Sequence, residues 1–261
     1  MPQHLLHLTD LHLTLPGQLH LGVDPWQRWQ QVLNTLHKHI DTRQVPHPDL
    51  VVLGGDLVHH PEGVEVYQRM AESLEPLGVD WVAVPGNHDE ASWIHDALAE
   101  RLPSQRCLGN WQLLLLDSTA RPDGKGRGAV DESALAGLAQ ALAEPEKHHQ
   151  LVIMHHPVLP VFNQWQDEVM AENSRSLLAH FAQGQQLRGV VCGHVHQAHH
   201  WRVGAINYWS TPAVSGQFLP HAGGFAIEHR ALQGLPAARW LHLHEDGSIQ
   251  TTVYRFREMH G

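Results

Sequence analysis

Five short strings in this 261-residue chain carry side chains able to do chemistry: Asp10-Leu11-His12, Gly55-Asp56, Gly86-Asn87-His88-Asp89, His155-His156-Pro157 and Gly193-His194-Val195-His196. Each closely follows an apolar run, in order LLHL, LVVL, WVAV, LVIM and GVVC. Carboxylate, imidazole and amide donors together suit hard and borderline divalent cations such as Mn, Fe or Zn, and no thiolate is needed. An aspartate has two oxygens, so one aspartate can touch two ions. Two ions about 3.5–4 Å apart can activate a hydroxide between them and clamp a phosphoryl group for in-line attack.

One string alone decides little. Asp-x-His and Gly-Asp recur by chance, and with 25 histidines in the chain most must be surface residues or packed rings. The weight lies in position. Polar groups crowded at the ends of buried strands cost folding free energy unless they have partners. In α/β sheets, sites form in the crevice outside the carboxyl ends of the strands. Alternation along extended segments would put Asp10 and His12 on one side, and likewise His194 and His196.

The elements that must position these groups follow from periodicity. Strands are expected over 4–9, 50–53, 81–84, 111–116, 151–154 and 189–192. Helices are expected over 26–40, 62–74, 91–101, 131–143 and 174–183. Asp24 is placed to cap the first helix, with Pro25 at its first turn. Beyond residue 198 the pattern turns to strands, over 199–211, 224–228, 240–244 and 248–256, with Asp246-Gly247 as a tight turn. This order predicts an α/β fold: a two-sheet sandwich flanked by helices, in a single domain over 1–261. Its β/α part covers about 1–198 and its mostly antiparallel part about 199–258.

Composition sets the outer bounds. With 42% hydrophobic residues, the chain can bury a sizeable core. A formal net charge of −10 argues against a nucleic-acid polymer, because phosphate contacts need Lys and Arg. It leaves small phosphoesters open if metal ions supply the positive charge. Cys107 and Cys192 are too few for a disulfide framework. The N-terminus lacks a basic region and a cleavage site, and no apolar run reaches the roughly 18 residues of a membrane span. The expectation is a cytoplasmic protein without membrane contact, a monomer or homodimer.

Taken together, the five strings resemble the calcineurin-like metallophosphoesterase superfamily. Much of the chain is similar to the bacterial class III cyclic-AMP phosphodiesterases, including Leu21-Gly22-Val23, the 111–118 stretch, Cys192-Gly193-His194, Thr211-Pro212 and Gln217-Phe218-Leu219-Pro220. The resemblance implies two divalent ions per chain, Fe or Mn first and Zn as a further candidate. Asp10, His12, Asp56 and His196 would hold one. Asp56, Asn87, His155 and His194 would hold the other, with Asp56 shared. His12, Asp56, Asn87, His88 and His196 would meet the substrate. His88 would act at the leaving oxygen, and Asp89 is expected to orient its ring. The activity implied is hydrolysis of a phosphodiester by a hydroxide bridging the ions, with conversion of 3′,5′-cyclic AMP to 5′-AMP as the first choice.

Other readings stay open at this point. The same centre would serve 2′,3′-cyclic nucleotides, glycerophosphodiesters or nucleotide monoesters. A metal-binding module without catalysis is a further alternative. The His-x-His-x-Asp-His string of metallo-β-lactamase-type hydrolases is absent. Between the neighbours His155 and His156, the His-x-Pro pattern favours His155. His59-His60 depart from the family pattern, where acidic or amide residues are less surprising. The 211–220 segment is a candidate pocket wall, and Trp93, Trp165, Trp201 and Trp209 are candidates to stack a base. The 163–172 stretch is a lid or an ordinary loop.

Overall fold

The computed structural model describes residues 1–60, 63–144, 148–230 and 232–257. Among the described residues, eleven strands form two sheets. They are β1 (Gln3–Leu8), β2 (Leu50–Leu53), β3 (Trp81–Ala83), β4 (Gln105–Leu108), β5 (Trp111–Leu116), β6 (His149–Met154), β7 (Leu187–Cys192), β8 (His199–Val203), β9 (Ile206–Ser210), β10 (Ala237–Leu243) and β11 (Ile249–Arg255). One sheet has the order β11-β10-β1-β2-β3 and the other β4-β5-β6-β7-β9-β8. Strands β1 to β3 run parallel, as do β5, β6, β7 and β9.

The strands read as continuous apolar runs because both of their faces are buried. Alternate residues divide between two environments. Leu5, Leu50, Val52, Leu113, Leu115, Leu151 and Ile153 meet between the sheets. Leu6, Leu8, Val51 and Leu53 face outward, under Trp29, Leu36, Tyr67, Met70 and Ile94. These come from helices α1 (Pro25–Asp41), α2 (Glu65–Leu74) and α3 (Ala91–Leu98). On the other side Leu114, Leu116, Val152 and Met154 pack under Leu135, Leu138, Leu177 and Phe181. Those belong to α4 (Glu132–Ala143) and α6 (Ser174–Phe181). The layers are helix, sheet, sheet, helix.

The cap expected for α1 forms, and Asp131, expected inside α4, caps that helix. The Asp24 carboxylate accepts from the backbone N–H of Trp26 at 2.9 Å and of Gln27 at 3.1 Å. The Asp131 carboxylate accepts from Ala134 at 2.7 Å. Each satisfies donors that the first turn leaves unpaired. The start expected for α2 at Glu62 lies outside the described residues.

The structure differs from expectation chiefly in the last third. The run 199–211 is a hairpin, turned at Gly204 with φ 61°. Its second strand, β9, adds parallel to β7, so this part is not uniformly antiparallel. The run 224–228 is no strand; it holds a single bridge, Phe218 to Ile227. Strands β10 and β11 cross back to the first sheet beside β1. The strand β4 and the short helix α5 (Gln164–Asp167) were not expected. No helix among the described residues is long and apolar enough to cross a membrane.

Candidate metal centre

All five strings sit just past strand ends on one edge of the sandwich. Strand alternation does not orient them, because β1 ends at Leu8 and β7 at Cys192. Asp10 (φ 54°), His12 (φ 46°), Asp56 (φ 51°), His194 (φ 69°) and His196 (φ 51°) all adopt left-handed backbone conformations instead. Such conformations are costly outside glycine and concentrate at functional sites. Here they turn consecutive polar side chains back over the strand ends.

Backbone hydrogen bonds tie the turns together. Asp10 N–H donates to the Gly55 carbonyl at 3.0 Å, and His12 N–H to the Asp56 carbonyl at 2.9 Å. Gly193 N–H donates to the His155 carbonyl at 3.1 Å. The two sheets are then joined across the gap. His194 N–H donates to Asp10 Oδ2 at 3.0 Å, and Ser215 Oγ to the Asp10 carbonyl at 2.7 Å.

Two donor sets result, with Asp56 between them. In one, Asp10 Oδ1 lies 3.2 Å from His196 Nε2, and His12 Nε2 lies 3.2 Å from His196 Nε2 and 3.5 Å from Asp56 Oδ2. In the other, His155 Nε2 lies 3.2 Å from Asp56 Oδ2, 3.2 Å from Asn87 Oδ1 and 3.2 Å from His194 Nδ1. Ring nitrogens and carboxylate oxygens of Asp10, His12 and His196 lie within 4.8 Å of one another, as do those of Asp56, His155 and His194.

Tautomers show what the sets require. A carbonyl oxygen can only accept, so His155 Nδ1–H donates to Gly54 at 2.9 Å and His196 Nδ1–H to Gly216 at 2.5 Å. Their Nε2 lone pairs therefore point inward, together with the oxygens of Asp10, Asp56 and Asn87. His194 Nε2 is buried without a partner. This convergence of lone pairs fits two divalent cations and little else, and the outer hydrogen bonds are those that orient ligating imidazoles. In the cation-free protein, burial disfavours a charged His155, but the Asp56 carboxylate beside it prevails and raises its pKa to about 9.

His156, the neighbour of His155, points elsewhere. Its ring lies 2.8 Å from Ser118 Oγ and 3.1 Å from the Gly126 carbonyl. The His88 ring stands beside His12 at 4.9 Å and His59 at 4.7 Å, centroid to centroid. Burial lowers its pKa.

Asp89 does not orient His88. Its carboxylate accepts from the backbone N–H groups of Gly86 (2.9 Å), Leu57 (3.1 Å) and Val58 (3.1 Å) and from the Tyr67 hydroxyl (3.1 Å). It clamps the turn bearing Asp56 to the turn bearing Asn87 and His88. Burial, then the nearby Asp56 charge, push its pKa up to about 7.

A cleft of about 280 Å³ opens onto the donor sets. Asp56, Asn87, His88 and His196 line it together with Trp165, Phe218 and Phe225. Phe218 stacks on the His196 ring at 4.1 Å and meets Trp165 edge-on at 5.0 Å. Of the four candidate tryptophans only Trp165 lines this cleft; Trp93 and Trp201 pack against the outer cores and Trp209 lies between the sheets. The 163–172 stretch folds over the site, with Gln166 Nε2 donating to the Val195 carbonyl at 2.8 Å. Phe225 and His20 carried no signal in the sequence, since neither belongs to a string with chemical spacing. A larger hollow of about 690 Å³ beside Glu72, Asp96 and Arg101 lies away from these groups.

Facing sheets with carboxylate, imidazole and amide donors crowded at their strand ends define a metal-dependent hydrolase with two ion sites. The chain belongs to the calcineurin-like phosphoesterase family, whose model matches residues 4–198. It is 32% identical over 261 residues to the 3′,5′-cyclic adenosine monophosphate phosphodiesterase CpdA of Escherichia coli K12, spanning 97% of this chain and 90% of that protein. The CpdA of Pseudomonas aeruginosa is 29% identical, over 96% of this chain and 89% of its own. Among solved structures, a dimetal phosphatase from Danio rerio superposes with a TM-score of 0.69 at 13% identity, covering 98% of this chain and all of that one. GAP50, the anchor in the inner membrane complex of Plasmodium, matches with a TM-score of 0.60 at 11% identity, over 98% of this chain and 90% of its own. Likeness at that level shows the fold, and the fold alone does not choose between catalysis and anchoring.

Proposed function

We propose that the protein hydrolyses 3′,5′-cyclic AMP to 5′-AMP. The observation that carries the reading is the Asp56 carboxylate, whose Oδ2 lies 3.5 Å from His12 Nε2 and 3.2 Å from His155 Nε2, between two donor sets that open into one cleft. In this reading Asp10, His12, Asp56 and His196 hold one divalent ion, and Asp56, Asn87, His155 and His194 the other. Fe or Mn are the proposed ions, with Zn also compatible with the donors. Bound there, the pair would supply Lewis acidity toward the phosphoryl oxygens and a water made nucleophilic at neutral pH.

The chain's own groups account for the rest. His12, Asp56, Asn87, His88 and His196 surround the place where the phosphate would sit. The departing 3′ oxygen must take up a proton. The His88 ring faces the cleft and makes no hydrogen bond to another described residue, so its N–H is free to donate there. Asp89 acts by position, holding the backbone on either side of Asp56 and His88. Trp165, Phe218 and Phe225 bring aromatic surface to the same cleft. A purine stacks well on such faces, and this favours a nucleotide over an aliphatic diester. The Escherichia coli relative of this length and identity is a cyclic-AMP phosphodiesterase by name, which points the same way.

The test is a steady-state comparison of cyclic AMP, 2′,3′-cyclic AMP and bis-p-nitrophenyl phosphate, each with Mn, Fe and Zn. Cyclic AMP should give the highest kcat/KM. Cyclic AMP left intact while another ester is cleaved would refute the substrate.

A further inference from the structure

Lys125 lines the cleft without belonging to either donor set. Among the described residues that line it, no other is a lysine or arginine. Lys125 also lines an adjoining hollow of about 570 Å³, which shares Asn87, His88 and Gly126 with the cleft. Its ammonium makes no ion pair or hydrogen bond to another described residue. The loop that carries it is fixed from several sides. The Asp123 carboxylate accepts from the backbone N–H of Lys125 at 2.8 Å and of Arg127 at 3.0 Å. His156 Nε2–H donates to the Gly126 carbonyl at 3.1 Å, and Glu172 N–H to the Gly128 carbonyl at 2.8 Å. Arg127 Nε donates to the Glu168 carbonyl at 2.9 Å, so the second cation of the loop is spent on holding it. A Cβ on Gly126 would lie 3.7 Å from His194 Cε1 and 3.8 Å from Asn87 Nδ2. The backbone next to Lys125 thus passes against two side chains of the second donor set.

We propose that Lys125 is a substrate-contact residue, donating from its ammonium to a non-bridging phosphoryl oxygen of the bound diester and, more strongly, of the product. The proposal rests on the reading above in one respect: the phosphate sits beside Asn87 and His88. A lysine offers three donors on a flexible four-carbon stem and can follow a phosphate as its charge grows. A diester carries a single negative charge, whereas a monoester carries about −1.5 to −2 at pH 7. A cation at that place therefore attracts the phosphoryl group more strongly late in the reaction than early, which is the condition for raising kcat. In a protein of net charge −10, it also offsets the repulsion that an anionic substrate meets on entering. The competing explanation is an exposed lysine held only by water, whose removal changes nothing.

The experiment uses the Mn-loaded full chain and compares wild type with Lys125→Met, Lys125→Arg and Arg121→Met. Arg121 stands in the same loop, paired with Glu132 at 3.1 Å and not lining the cleft, so its loss reproduces the change in net charge alone. Titration calorimetry reads the binding of inorganic phosphate and of 5′-AMP. Steady-state kinetics reads cyclic AMP and bis-p-nitrophenyl phosphate. Lys125→Met should weaken binding of both anions about tenfold and lower kcat/KM on both diesters by about as much. That is the low end for a hydrogen bond to a charged group, because Lys125 is exposed. Lys125→Arg should recover most of the loss, Arg121→Met should match wild type, and metal content and melting temperature should not move. Binding and kcat/KM within twofold of wild type in Lys125→Met would overturn the proposal. So would an equal loss in Arg121→Met, a loss accompanied by lost metal, or a wild type that binds neither anion. Cyclic AMP left intact by wild type would sink the substrate reading, while the phosphate titration and bis-p-nitrophenyl phosphate would still report on Lys125.

Discussion

The backbone N–H of His88 donates to Asp56 Oδ1 across 2.8 Å. One carboxylate thus has one oxygen held by the turn that carries the proposed acid, while the other faces the imidazoles of His12 and His155. This contact ties the central carboxylate to the turn that carries His88.

Asp56→Asn should therefore abolish more than charge. An amide nitrogen cannot accept from His88 N–H or coordinate a cation. The expected outcome is loss of at least one bound ion and a fall in kcat/KM of at least about 100-fold, the upper end of what loss of a ligand-orienting partner costs. Metal analysis alongside steady-state kinetics checks it. Near-normal turnover would refute the shared-aspartate centre.

Glycines before the motifs are there for space. A Cβ on Gly86 would run into the Asp56 backbone and carboxylate, and a Cβ on Gly193 would lie 2.8 Å from Asp10 Oδ2. Both neighbours are fixed from several sides, so neither can yield. Gly86→Ala and Gly193→Ala should each lower metal occupancy and turnover together, with secondary structure by circular dichroism retained.

Asp89→Ala removes the acceptor of three backbone N–H groups and the Tyr67 hydroxyl. Leaving buried donors unpaired costs about 1–3 kcal/mol each. The variant should lose thermal stability and metal affinity. If Asp89 instead set the tautomer of His88, kcat would fall with melting temperature and metal content unchanged; a melting curve and a metal count separate the two.

The aromatic wall should govern selectivity more than chemistry. Stacking a base on an aromatic side chain is worth about 1–3 kcal/mol. Trp165→Ala should raise KM for cyclic AMP about tenfold or more, with kcat and the turnover of a small aliphatic phosphodiester little altered. Equal losses on both substrates would show that Trp165 only packs the cleft.

Chelation should destabilise the fold. Lone pairs converge on the centre, and cations binding the native state stabilise it by about 2.7 kcal/mol at a concentration 100 times Kd. Calorimetry with and without a chelator should show a lower melting temperature, restored by Mn.

Much of this was legible in the chain. Buried strands announce themselves as unbroken apolar runs, since both faces are covered, and helix α1 carries its cap in the sequence at Asp24. The five motifs each follow such a run. The His-x-Pro pattern of the resembled family also favoured His155 over His156, and the structure places His155 beside Asp56 and His156 on Ser118.

The sequence by itself determined which residue types stand at the strand ends, because local periodicity and composition are local properties. Tertiary structure decided the rest. Alternation suggested how Asp10 and His12 share a side, but left-handed turns do that work, stabilised by partners up to 205 residues away such as Ser215. The bonds of Asp89, the return of β10 beside β1 and the aromatic wall all join segments distant in the chain. No window of sequence encodes such contacts, since they exist only once both sheets have packed.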